Sequence, residues 1–312
     1  GVGINTAMAA KLGAGKAQQA KAFAGVGTPL ALCLWLLFAA LGYFGMPLYA
    51  RLSTESAEVI KDVTVYGRIV CVFSFGLFLE SVWTKILQAH GNMKTPMLAQ
   101  IVGAVTNIVL DPLLIFGLLG LPRLGIAGAA IATVTGQVAA AAVVFKKGFC
   151  KPQRSWPLPP LLKRIFAFGA PNVLMQSAYT FYIFGLNLIL AGFSDDAVTA
   201  LGLYYKWQSF FFIPLGAMQT CIVPVVSYNY ASKIIARCQK ALAGAVAFGV
   251  SLMALGTLCF VTVPGPMLRV FTSNAAVIAI GKVGFIFTGL RFLGMVPSLT
   301  VRVFFGAVGR GV

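Results

Sequence analysis

The sequence predicts an all-α, multi-pass membrane protein made of two helical bundles, and three observations carry the prediction. First, 59% of the 312 residues are hydrophobic and only 10% are charged, with a mean hydropathy of +0.90; soluble domains are about 25% charged. Second, apolar runs of ~18 residues or more, each long enough to cross ~30 Å of hydrocarbon at ~1.5 Å per helical residue, recur along the chain. Third, Lys and Arg gather in alternate connections between those runs.

Taken in order, residues 1–10 form an apolar piece too short to cross a bilayer, which reads as the end of a helix. Eight complete spans follow, at 25–48, 66–89, 96–119, 125–145, 165–192, 198–226, 241–263 and 275–305. One set of connections carries Lys11, Lys16 and Lys21, then Lys94, then Lys146, Lys147, Lys151, Arg154, Lys163 and Arg164, then Lys233, Arg237 and Lys240. The alternate set carries Arg51 and Lys61 beside Glu55, Glu58 and Asp62, then Arg123, then Asp195 and Asp196, then Arg269. The positive-inside rule makes the first set cytoplasmic, and a single phase throughout supports the span count. The formal charge of +17 is spread over these short loops, which argues against a nucleic-acid partner. The six cysteines show neither CxxC nor metal-type spacing and read as small buried apolar residues.

The polar, proline-rich stretch "GFCKPQRSWPLPP" from Gly148 divides the chain into an amino-terminal lobe (1–148), a cytoplasmic linker (149–163) and a carboxy-terminal lobe (164–312). A weak internal repeat accompanies this division. "PLYARLSTESAEVI" from Pro47 matches "GPMLRVFTSNAAVI" from Gly265, pairing Arg51 with Arg269, an offset of 218 residues. The offset spans six helices, an even number, so the copies have the same orientation and enclose a cavity about an axis along the membrane normal.

Within the span at 96–119, "TNIVLDPLLIFG" places Asp111 and Pro112 about 22 Å from the cytoplasmic end, at ~1.5 Å per residue. A carboxylate at that depth costs several kcal/mol unless it faces a cavity or a partner. Asn107 lies four residues earlier on the same helix face, and Pro112 cannot donate to the Ile108 carbonyl. Amide oxygen, carboxylate and freed carbonyl together make hard oxygen ligands for Na⁺, or a protonatable site. The alternative is that Asp111 hydrogen-bonds neighbouring helices near a kink.

At these residues the chain resembles the MATE (multidrug and toxic compound extrusion) family. The resemblance rests on "LQAHGNMKTPMLAQIVGAVTNIVLDPLLIFG" from Leu87, "LGIAGAAIATVTGQ" from Leu124, "GINTAMAAKLGAGKAQQA" near the start and "VPVVSYNYASK" from Val223. It implies a fold of twelve helices in two six-helix lobes. Residues 1–10 then correspond to the end of the second helix and 275–305 to the tenth, with the first helix, most of the second and the last two outside the chain. It further implies a monomeric, multi-pass plasma-membrane protein (bacterial inner membrane) that expels cationic, amphipathic compounds in exchange for Na⁺ or H⁺, with no other cofactor. Carried over residue by residue, the amino-lobe cation site matches Asn107 and Asp111, with Thr133 as the threonine of the following helix; the site's first-helix aspartate falls before Gly1. The carboxy-lobe site of another branch is in doubt. "GAPNVLMQSAYTFYIFGLN" has no acid, and Ser298 stands near the expected tenth-helix position.

Further residues bear on the cavity. Glu80, with Lys85 five residues on, either faces it or pairs with a neighbouring helix. Gln176, Tyr179 and Gln208 are the polar residues expected to touch substrate, near the aromatic run "YYKWQSFFFIP". Arg291 and Arg302 in the last span each need a partner, with Glu80 across the lobes a candidate for one of them, or must snorkel. His90 in "QAHGN" reads as a surface turn residue, and "LGAGK" lacks the spacing of a phosphate loop, which points to secondary transport. With one histidine near an interface, no nucleophile and base assemble at membrane depth, so an enzyme is not expected. A polysaccharide-lipid flippase of the related exporter superfamily is the alternative; it needs several basic cavity residues, for which Arg291 and Arg302 are the candidates.

Overall fold

The structure, a computed structural model, describes residues 1–53, 56–120, 122–152 and 157–308, without the side chains of Ser53, Ala191, Leu299, Arg302 and Val308. Glu55, Arg154 and the Arg302 side chain, weighed above, lie outside the described residues. The elements are α1 (Val2–Gly13), α2 (Ala17–Ser53), α3 (Ala57–Val72), α4 (Phe75–Ala89), α5 (Lys94–Phe116), α6 (Ile126–Gly148), α7 (Leu158–Ala191), α8 (Asp195–Ala231), α9 (Ile235–Thr262), α10 (Pro264–Arg269) and α11 (Ala275–Val308). No strand occurs among the described residues.

Among the described residues seven helices are long and apolar enough to cross a membrane, and α3 with α4 makes an eighth span bent by 45°. The sequence marks 66–89 as one span, and the bend has a local cause. The ladder of α3 ends with the Phe73 N–H on the Ile69 carbonyl at 3.0 Å and that of α4 starts with the Phe78 N–H on the Ser74 carbonyl at 3.2 Å, while at the break the Ser74 hydroxyl donates to the Cys71 carbonyl at 2.8 Å. At the other end of the lobe, α7 begins at Leu158, inside the stretch read as linker. Pro159 and Pro160 sit in its first turn, where a helix has no use for their missing N–H groups.

The chain folds as two compact units, Gly1–Leu12 with Lys16–Ile165, and Gly13–Gly15 with Phe166–Val312. Helix association in lipid gains little from the hydrophobic effect and relies on close backbone approach. In the first unit α6 supplies that approach with a buried residue every fourth position: Gly128, Ala132, Gly136, Ala140, Val144 and Gly148. A β-carbon on Gly128 would stand 2.5 Å from the Leu114 carbonyl oxygen of α5, and one on Gly136 would stand 2.7 Å from that of Gly103. At the far end Gly148 meets Trp83 of α4, whose indole N–H donates to Thr28 of α2 at 3.0 Å.

The second unit packs α8, α9, α10 and α11 around an aromatic core. Phe260, Phe285 and Phe292 are fully buried, with ring centroids 4.7 Å apart for Phe260 and Phe285 and 5.0 Å for Phe260 and Phe292. Gly289 lets Phe260 reach the backbone of α11, and the Thr257 hydroxyl donates to the Gly289 carbonyl at 2.9 Å.

The internal repeat has a counterpart in the helix boundaries. α2 starts at Ala17 and α9 at Ile235, α3 at Ala57 and α11 at Ala275, and α1 ends at Gly13 and α8 at Ala231; each pair is 218 residues apart. The copies differ where α3–α4 is broken and α11 runs through 34 residues without a break.

Candidate functional site

A polar stripe runs along one face of α5. Gln100, Asn107 and Asp111 are spaced by seven and four residues, which stacks them on the same side of a 3.6-residue helix over about 16 Å at ~1.5 Å per residue. The Asn107 amide donates to Asp111 Oδ1 at 3.3 Å, and both side chains are half-buried. Helix α5 continues through Pro112, so the Ile108 carbonyl loses its usual donor one turn from the carboxylate.

Thr133 is placed by the packing of α6. Gly136 lies against Gly103 and Asn107, and Gly128 against Leu114, so the helices run antiparallel and Thr133 falls at the level of Asn107 and Asp111. No hydrogen bond joins Thr133 to either residue among the described residues. One turn further along α6, the buried Gln137 Oε1 has no hydrogen-bond partner. An acceptor oxygen in want of a donor is compatible with the same cation chemistry.

At the other end of the stripe Glu80 of α4 is 5% exposed. Its Oε1 accepts from Thr84 Oγ1 at 2.6 Å and from the Gln100 amide at 2.9 Å. Glu80 is thereby tied to the α5 face that carries Asn107 and Asp111. Thr84, Gln100 and Gln137 escaped the sequence reading, yet the spacing signals were present: Thr84 follows Glu80 by four, Gln137 follows Thr133 by four, and Gln100 precedes Asn107 by seven.

In the second unit the expected substrate residues are not gathered into one place. Gln176 is exposed on α7, whereas Gln208 of α8 is 3% exposed with its Oε1 unpartnered. Tyr179 is exposed and stacks on Tyr182 with centroids 6.4 Å apart. Arg291, midway along α11, donates to Tyr182 Oη at 3.2 Å and to Tyr204 Oη at 3.0 Å. Its partners are therefore two neutral phenols, which the sequence did not identify.

With this geometry established, comparison with known proteins decides the family. The family model described as MatE matches residues 1–113 and 171–312. The chain belongs to the MatE family. Relatives of this MatE chain include the probable multidrug resistance protein NorM of Thermotoga maritima, 25% identical over 300 residues, covering 90% of this chain and 62% of the relative. An FAD transporter of Shewanella oneidensis is 27% identical over 252 residues, covering 78% of the chain and 55% of the relative. The first two relatives are thus matched over less than two thirds of their length. A solved structure described as the outward-facing conformation of a multidrug resistance MATE family transporter superposes with a TM-score of 0.90 at 21% identity, over 99% of this chain and 70% of that one. The MatE fold of two helical lobes and its multi-pass membrane character follow from these matches together with the spans.

Proposed function

We propose that this MatE protein is a secondary active antiporter of the bacterial inner membrane that exports cationic or amphipathic compounds in exchange for Na⁺ or H⁺. The observation that carries the reading is the Asn107–Asp111 pair on the polar face of α5, with Thr133 at the same level on α6. One carboxylate with neutral oxygen neighbours at membrane depth is suited to load and release a cation. Coupling requires the ion and the substrate to favour different lobe arrangements, since a ligand that binds both equally shifts nothing. A single charge moving through 100 mV supplies ~2.3 kcal/mol. Relatives named for drug or FAD transport favour this reading over a lipid-linked polysaccharide flippase. In energised membrane vesicles carrying the protein, Asp111→Asn is expected to abolish gradient-driven efflux of ethidium. Undiminished efflux by that variant refutes the assignment.

A second reading concerns the charge of the substrate and rests on Arg291. The carboxylates of residues 166–312 are Asp195 and Asp196, in the first turn of α8. They stand about 12 Å along that helix from Tyr204, at ~1.5 Å per residue. The guanidinium and its phenols therefore offer donors without an anionic acceptor among the described residues, which favours substrates bearing an acidic group on an aromatic body. The FAD transporter among the relatives is consistent with such a cargo. Export of naphthalene-2-sulfonate that falls at least tenfold in Arg291→Gln, with ethidium export retained, supports this reading; equal loss of both probes contradicts it.

A further inference from the structure

The first lobe contains a cavity of about 510 Å³ that the transport reading does not use. Its wall is formed where α2 begins, α4 and α6 end and the chain leaves α6, with the polar side chains of Lys21, His90, Asn92, Lys147 and Lys151. Ala24, Ile86 and Leu87 give it an apolar floor. All these helix ends belong to the Lys/Arg-rich set of connections, so the cavity lies at the cytoplasmic edge of the hydrocarbon, the depth at which lipid phosphates sit.

The positive-inside rule explains why lysines occur on this side, but it does not explain why three of them converge on one cavity. Lys21, Lys147 and Lys151 are all exposed, and like charges gathered at one surface cavity repel, though water screens them, unless a counter-charge joins them. The sequence supplies none. Its seven carboxylates are Glu55, Glu58, Asp62, Glu80, Asp111, Asp195 and Asp196, and none falls in the connections at 11–21, 90–95 or 146–164. Nor do Lys21, Lys147 and Lys151 have a hydrogen-bond or ion-pair partner among the described residues. His90 Nδ1 is taken by the Ile86 carbonyl at 2.9 Å, and Asn92 is occupied in capping Thr95. This leaves three exposed lysines and the other ring nitrogen of His90 as the uncommitted polar groups among the residues that line the cavity with Ala24, Ile86 and Leu87.

We propose that this cavity binds the phosphate of an anionic phospholipid headgroup from the cytoplasmic leaflet, with Lys21, Lys147 and Lys151 around the phosphate and Ile86 and Leu87 against the glycerol and upper acyl carbons. Basic pockets between membrane helices on this side recognise such headgroups, and a lysine near the surface contributes about 1 kcal/mol toward an anionic lipid, or about fivefold in affinity. Since the site binds no transported ion, it is independent of the antiport reading and survives its failure.

Cys150 lines the same cavity and provides the readout. In nanodiscs of neutral phosphatidylcholine its alkylation by N-ethylmaleimide is followed by peptide mass spectrometry at mildly alkaline pH, because burial pushes this thiol above its ordinary range while Lys21 opposes the shift. Adding phosphatidylglycerol is expected to slow the alkylation at least fivefold. Lys147→Gln should remove most of the protection, and the triple change Lys21→Gln, Lys147→Gln, Lys151→Gln all of it; Lys163→Gln, outside the cavity, should keep it. Equal protection in parent and triple variant, or loss in Lys163→Gln as large as in Lys147→Gln, overturns the site in favour of a diffuse surface potential. Equal protection by inorganic phosphate or glycerol 3-phosphate without anionic lipid overturns the lipid and assigns the site to a soluble phosphate. If the triple variant does not fold, Lys147→Gln and Lys151→Gln singly decide the same question.

Discussion

Glu80 shows how one buried carboxylate can be read in two ways that a mutation separates. Its Oε1 holds Thr84 and Gln100, and both bonds survive in a neutral acceptor of the same shape. Glu80→Gln is therefore expected to change stability in detergent by less than about 1 kcal/mol, whereas Glu80→Leu leaves the Gln100 amide without its acceptor and costs about 2 kcal/mol or more. Thermal unfolding of the two variants measures the difference. A large loss in Glu80→Gln would show that the negative charge itself, and not the hydrogen bonds, holds α4 to α5. At this scale the sequence named Asp111 and Glu80 because an ionisable residue within an apolar run is conspicuous, and Asn107 because it lies four residues before Asp111 on the same helix face. It did not name Gln100, Gln137 or Tyr182, nor Tyr204 as a partner of Arg291, because neutral polar and aromatic residues are common in spans and gain meaning only from the neighbour they meet.

Among the elements, the α5–α6 pair fixes the level of Thr133 relative to Asp111, and small residues set its spacing. A side chain at Gly136 meets a backbone oxygen, which cannot rotate away, so Gly136→Val must force the helices apart. Overpacking of this kind costs about 1–3 kcal/mol, and the same displacement should impair efflux before the fold is lost. Measuring unfolding and vesicle efflux on one preparation checks this; full efflux from a destabilised variant would separate the helix spacing from the site. Span positions were legible in the sequence because hydrocarbon thickness imposes a length on every apolar run. The α3–α4 bend was not, since it depends on a single serine turning its hydroxyl to the backbone, and the early start of α7 was hidden by a polar, proline-rich stretch that reads as linker.

For the whole molecule, the repeat at 218 residues is more evident in the helix boundaries than in the sequence, where apolar stretches align by chance. Within these repeated lobes the charge is unequally distributed: acids at membrane depth occur in the first, at Glu80 and Asp111, while Arg291 stands in the second beside two phenols. That division is the basis for the proposal that the coupling ion binds in the first lobe. The most direct test is to add substrate to the purified, lipid-reconstituted protein without a gradient and to record release of bound H⁺ or Na⁺ with a pH indicator or a sodium electrode. The account predicts release of one of these ions from the parent and none from Asp111→Asn; equal release from both, or substrate binding that displaces neither ion, would contradict it.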